Sequence, residues 1–285
     1  MYRFVFGSIL GVAAFATPSR AGALITPRGA DLRQCAFASA CADRVVVGHV
    51  TGVEKDHVKA KPIPAVPSQV TYQIFRLAVS ETLAGDKAVT EIRIGGPVSD
   101  APSVRGPDAE QYPDPVAKDA EGLYFLARHH TGEFYTIVHF VPGYYKETYG
   151  RDTKDARRYL GLLTDPIVSL RDKKPEDRLA TAVLLLMRHQ AYRGPKWKPI
   201  PDEENKLILA ALDEVNWGDD ADAPLTPVRV VRAVWRESQV RAMEAGKVFK
   251  EPVLPAKTQA EEGTFLREWV RRNRATIRIE RNALE

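Results

Sequence analysis

Residues 44–53 read RVVVGHVTGV, and this stretch decides the fold class. It is rich in β-branched valine, which suits a pleated strand, and Gly48 and Gly52 mark positions for a bulge or a close backbone approach. The strand pattern continues to about residue 141. Residues 70–82 alternate Val70, Tyr72 and Ile74 with Thr71 and Gln73 and predict a long second strand. Ala84-Gly85-Asp86-Lys87 is a turn, and 88–94 (AVTEIRI) a third strand. Residues 123–130 and 134–141 predict a hairpin closed around Thr131-Gly132. Five strands are the number in an OB-type Greek-key barrel. Two long loops interrupt them, 54–68 and the Pro-rich 95–122, and loops this long inside a compact domain are usually functional or disordered.

After Gly143 the apolar period changes to that of helices. Residues 153–163 predict a short helix. Residues 175–192 open with Pro175, Glu176 and Asp177 and continue into LATAVLLLM, a helix apolar enough to be buried on most sides. Residues 201–216 repeat the device with Leu207, Ile208, Ala211, Leu212 and Val215 on one face. A fourth helix starts at Thr226-Pro227 with Val228, Val231, Val234 and Trp235. A last one is capped by Thr258 and buries Phe265, Leu266, Trp269 and Val270. The expected fold is therefore α+β: a five-stranded antiparallel OB-like β-barrel over residues 24–145, then an α-helical domain over 146–285.

The first 23 residues read as a secretory signal peptide. Arg3 supplies positive charge, 4–16 (FVFGSILGVAAFA) is an uncharged apolar run, Pro18 breaks it, and Ala21-Gly22-Ala23 is a small-residue cleavage site. As a helix that run covers only about 20 Å, short of a ~30 Å hydrocarbon core. The alternatives are a first core helix or a membrane anchor. Cleavage would begin the mature chain at Leu24, exported to a periplasmic or extracellular setting, with no transmembrane segment after it. In an oxidising compartment Cys35 and Cys41 are expected to form a local disulfide, the alternative being two buried free thiols.

The chain carries 41 Lys+Arg against 37 Asp+Glu. Six arginines within 264–281 (Arg267, Arg271, Arg272, Arg274, Arg278 and Arg281) account for the basic excess. A basic surface spread over the whole protein is excluded, and with it nucleic acid as a partner. Arg229, Arg232 and Arg236 share one face of the fourth helix. They are either a solvated helix face or part of a docking surface for a sugar acid, a phosphate-bearing glycan or an acidic partner.

The segment Cys41-Ala42-Asp43-Arg44-Val45-Val46-Val47-Gly48-His49-Val50 resembles the opening of netrin-like domains, the OB-fold module of tissue inhibitors of metalloproteinases. Leu83-Ala84-Gly85 and Gly122-Leu123-Tyr124-Phe125-Leu126 look similar too, so the resemblance spans residues 41–141. It implies an exported OB-type barrel. It does not imply protease inhibition, because that family chelates the protease zinc with an N-terminal cysteine, and Cys35 lies eleven residues inside the predicted mature terminus.

No phosphate-binding glycine loop, nucleophile elbow, HExxH or EF-hand loop is present, so no catalytic residue, cofactor or metal site is assigned. In the expected hairpin register His130 lies opposite Glu133 and His139 opposite Tyr124, about 20 Å apart along the strands, with His129 on the other face beside Phe134. Such a spread cannot converge on one metal. The expected function is an exported binding or interaction protein with a protein or anionic-glycan partner. His49, Tyr72, Tyr124 and His139 are its candidate contact positions on the barrel. The alternative functions are an exported hydrolase, whose residues would meet from loops, and a structural component of the envelope.

Overall fold

A computed structural model describes residues 32–64, 66–98, 114–191, 196–214 and 259–283, together with 217, 227–228, 230–232 and 234. The leader at 1–23 and its cleavage site lie outside the described residues. In chain order the elements are α1 (Leu32–Cys41), β1 (Arg44–Ala60), β2 (Val70–Ala84), β3 (Glu91–Pro97), β4 (Glu121–Arg128), β5 (Tyr135–Pro142), α2 (Lys146–Thr164), α3 (Pro166–Leu170), α4 (Pro175–Gln190), β6 (Lys196–Pro199), α5 (Asp202–Glu214), α6 (Gln259–Asn273) and β7 (Glu280–Ala283). Residues 227–228, 230–232 and 234 are also helical. Among the described residues no helix is long and apolar enough to cross a membrane.

The five N-terminal strands close into a ring in the order β1-β2-β3-β5-β4, with β1 hydrogen-bonded to both β2 and β4. The expected all-antiparallel arrangement is corrected at one seam. β3 and β5 run parallel where Ile94 faces Tyr135, so the sheet is mixed. Closure requires β1 to bend, and it does so at register shifts between Val47 and Gly48 and between Val50 and Gly52. Gly48 is required there. A Cβ on it would stand 2.3 Å from the Ala78 carbonyl oxygen. The ring interior is filled by Val46, Val50, Leu77, Ile92, Ile94, Tyr124 and Leu126.

Two features of the strands differ from expectation, each for its own reason. The first strand continues through Ala60, over residues read as loop, because after an irregularity at 54–56 His57–Ala60 pair with Val70–Gln73 of β2, while most side chains from Glu54 to Lys59 stay in water. A polar ribbon of that kind carries no apolar alternation. In the β4–β5 hairpin, Leu126 faces Ile137 but Phe125 faces His139, leaving Val138 as an extra residue. This bulge reverses the alternation. Ile137 packs with the ring interior, whereas Val138 and Val141 join the core on the outside.

The helical half rests on the outside of the ring through α1. This helix (LRQCAFASAC) packs against β4, β5, α2 and α4. Cys35, Ala36, Ala38, Ser39, Ala40 and Cys41 are all buried in it. The resulting core is continuous, from Val45, Leu123 and Phe125 of the ring through α1 to Leu184 of α4, Leu212 of α5 and Leu266 of α6. As its sequence predicts, α4 starts at Pro175 and buries every residue from Ala180 to Leu186. Asn205 of α5 pins the C-terminal segment. Its Nδ2 donates to the Ile277 carbonyl at 3.1 Å and its Oδ1 accepts from the Ile279 N–H at 2.9 Å. That leads β7 into an antiparallel pairing with β6, a two-stranded sheet without a clear signal in the sequence.

The expected Cys35–Cys41 bridge is corrected: both cysteines are buried thiols with no disulfide between them. Helix geometry forbids the bond. Six residues of helix rise about 9 Å, beyond the ~7 Å between Cα atoms that a disulfide tolerates. Cys35 Sγ instead donates to the Asp152 carbonyl of α2 at 3.3 Å, and Cys41 Sγ points at the Met187 carbonyl of α4 at 4.0 Å. Burial, reinforced by the charges of Asp152 and Asp155, pushes the Cys35 thiol up to about 12. A thiol reagent is therefore expected to leave Cys35 unmodified in the native protein at pH 8. It should titrate both cysteines after denaturation without reductant, whereas no release of thiol would restore the bridge. Gly48→Ala should lower stability by about 1–3 kcal/mol, the usual cost of overpacking, read as a lower urea midpoint.

Candidate functional site

One end of the ring is built from the β1–β2 loop (residues 61–64 and 66–69), the β4–β5 turn (129–134) and the end of β3. The turn is longer than the two-residue reversal expected, because Arg128 pairs with Tyr135. His129 is 4% exposed and ties the turn to the loop. Its Nε2 lies 3.1 Å from the Lys61 carbonyl, which only accepts, so Nε2 carries the proton. Nδ1 then accepts from the Thr131 hydroxyl at 2.9 Å and, at 3.4 Å, from the Thr131 N–H. The His129 ring stacks on Phe134 at 4.4 Å as the sequence places it, and meets Tyr72 edge-on at 5.4 Å. Phe134 itself lies on Gly95 of β3, where a Cβ would stand 2.4 Å from its ring.

Charge completes the clamp. Arg93 of β3 donates to both Glu54 carboxylate oxygens, at 2.9 and 2.8 Å, and to the Glu133 carbonyl of the turn at 3.2 Å. The Arg93 hydrogen bond holds the Glu54 carboxyl below the usual carboxylate range, and Glu54 in turn raises the guanidinium. The pair is solvent-accessible, so it contributes register more than energy. Beside this rigid frame Ile63 and Val98 stand exposed, at 37% and 40%, with Lys61 and His130 also in water or half-buried.

The residues singled out from sequence fall in different places. His49 is exposed on β1 between Ala78 and Glu121. Tyr72 and Tyr124 are not surface groups: they are 2% and 0% exposed. Tyr124 donates its hydroxyl to the Ala120 carbonyl at 2.8 Å and lies 3.0 Å from that of Pro115, anchoring the connection into β4. His139 is half-buried, its ring against Phe125 at 5.6 Å on the outer face created by the Val138 bulge. The expected spread of the histidines also changes, since the His129 and His130 rings are 4.3 Å apart within the turn. Among the described residues no three His, Cys, Asp or Glu side chains converge as a metal site.

Arg232 pairs with Glu262 of α6 in a side-on contact, so this arginine belongs to the helix packing; Arg229 and Arg236 lie outside the described residues. The C-terminal run is similarly engaged. Arg271 meets Asp213 at 2.8 Å, Arg267 donates to the Asp213 carbonyl, and Arg272 pairs with Glu268 at 2.7 Å. Sequence reasoning missed the buried contact of His189 Nε2 with Glu204 at 2.8 Å, which joins α4 to α5. Spacing along one chain does not register pairs between elements.

Burial pushes His139 down to about 4 and, together with His130, lowers His129. The unfolded chain takes up protons near pH 6.5 that the native fold refuses, so stability rises with pH across roughly 4–6.5 and is lost on acidification. His139→Gln should flatten that slope. The difference between wild type and variant should reach on the order of 2–3 kcal/mol near pH 4, measured by urea unfolding at a series of pH values.

No protein-family model, curated protein or solved structure matches this chain.

Proposed function

We propose that the ring is an OB-type barrel and that the chain is an exported binding protein, which uses the ring end at 61–69 and 129–134 as its recognition edge. The strand order β1-β2-β3-β5-β4, with β1 shared and a single parallel seam, supports the barrel assignment and is compatible with the netrin-like resemblance. In OB-type barrels the loops that follow β1 and β4 flank the ligand. The observation that carries the reading is His129, a buried neutral imidazole bonded to both of those segments at once. Fixing two loops before a partner arrives removes part of the ordering entropy that binding otherwise costs. Ile63 and Val98 then present apolar surface on a frame rimmed by Lys61 and Arg93. The helical part acts as a support, docked through α1.

The test joins location to surface. Fractionation and N-terminal mass spectrometry should find a chain beginning near Leu24 in the envelope or medium. That chain should co-purify one stoichiometric partner, lost on Ile63→Asp plus Val98→Asp with the melting temperature unchanged. An intact initiator end in the cytosol would sink the export reading. Turnover of an ester or peptide panel, abolished by one histidine substitution, would replace binding with hydrolysis.

A further inference from the structure

The two segments of the ring end are joined through one titratable group. Loop residues 61–64 and 66–69 include Pro62, Pro64 and Pro67, which have no N–H to donate. Within the loop Val66 donates to the Ile63 carbonyl at 3.1 Å. The loop is tied to the β4–β5 turn by the His129 Nε2–H on the Lys61 carbonyl. The other ring nitrogen, Nδ1, has two donors in front of it, the Thr131 hydroxyl and the Thr131 N–H. That arrangement has room for one ring proton. Were Nδ1 protonated as well, the Thr131 hydroxyl can rotate to accept, but the Thr131 N–H would face it donor to donor.

Little around the ring compensates a second proton. His129 is buried, so a cation there loses its water. The His130 ring lies 4.3 Å away, and Lys61 beside it opposes a charge on that ring too. Tyr72 of β2 meets His129 edge-on, with its phenol kept protonated by burial. Glu133 of the turn favours a charged imidazole, but it is exposed and its attraction is screened. Arg93 of β3 donates to the Glu133 carbonyl and holds Glu54 of β1, while Arg128 reaches the Gly132 carbonyl at 3.5 Å. The cations Lys61, Arg93 and Arg128 outnumber the acids Glu54 and Glu133.

We propose that the ring end is a clasp that acid opens: a proton taken up by His129 drives its ring out of the stack on Phe134 and parts the loop from the turn, while the ring strands stay closed. This deepens the binding reading above and rests on it for its use, because a partner that needs the closed edge is held at neutral pH and released in acid. The sign follows from proton linkage. In the closed form burial and His130 lower the proton affinity of His129, whereas in the open form the imidazole meets water and titrates near its ordinary value of about 6.5. The open form therefore binds more protons. Closure is complete above about pH 6.5 and weakens as pH falls. His130, lowered by burial and by Lys61, acts in the same direction. Local opening of this kind needs less free energy than unfolding of the ring, since it breaks few contacts.

The test is amide exchange of the full chain followed by NMR at pH 7 and pH 5, corrected for the intrinsic rate, in the His139→Gln background so that the outer-face titration drops out. The amides of Val66, Thr131 and Gly132, hydrogen-bonded in the closed form, should lose protection by on the order of tenfold or more. Those of the β2–β3 ladder from Phe75–Ile94 to Leu77–Ile92 should keep theirs. The His129 imidazole resonances should titrate over the same span, starting from the Nε2–H tautomer. His129→Gln can donate to Lys61 and accept from Thr131 but takes up no proton, so it should retain most of the protection at pH 5. His130→Gln should leave the larger part of the loss in place. Unchanged protection at the edge, an equal loss along the β2–β3 ladder, or opening while His129 stays neutral would each overturn the proposal. Should His129→Gln already be open at pH 7, the imidazole titration of the histidine-bearing chain decides. The clasp is read with no partner present, so its failure is separable from failure of the export and partner test.

Discussion

The structure depends on a steric constraint at α1. This helix is enclosed by β4 and β5 on one side and by α2 and α4 on the others, and its residues from Ala38 to Cys41 are all buried. Only small side chains let four elements approach one helix that closely. Close-packed interiors leave no room for an added methylene without displacing a neighbour. The two cysteines fit that requirement as small apolar groups. Each directs its sulfur at a different helix, Cys35 at α2 and Cys41 at α4. They serve the seam between ring and helices through packing, and the continuous core across that seam follows from the fit.

The ring edge uses polar contacts where the seam uses apolar ones. His129, Arg93 and Glu54 each join segments far apart in the chain: the turn to the loop, β3 to the turn, and β1 to β3. A neutral imidazole suits the first of these because one nitrogen must donate to a carbonyl while the other accepts from a hydroxyl. Protonation would remove the acceptor. Edge and seam are thus coupled to acid in the same direction, since His129 at the edge and His139 at the outer face of the ring are both held in the neutral form by burial.

The ring strands and the main helices were legible from the sequence because their residues have strong contrast. The valine run of β1 and the proline-capped apolar run of α4 each have one dominant period. What escaped lacked contrast or lay in the third dimension. α1 is Ala, Ser and Cys on every side but that of the exposed Phe37, so its burial leaves no stripe, and the expected export favours reading its two cysteines as a bridge at the entry to the first strand. The far half of β1 is polar from Glu54 to His57, and only Val58 and Ala60 turn inward. The extra residue Val138 sits among β-branched neighbours with nothing to distinguish it, yet it moves His139 to the opposite face. Tyr72 and Tyr124 looked like surface aromatics in alternating strands. Their faces are covered by the aromatic cluster and by the connection into β4.

The basic residues show why composition alone misplaces a binding surface. The C-terminal arginines that carry the positive excess are drawn onto Asp213, Glu268 and the backbone, and Arg232 onto Glu262. Paired in this way, a guanidinium organises helices and offers a ligand little net field. Local charge that the fold has not already neutralised is what attracts an anion.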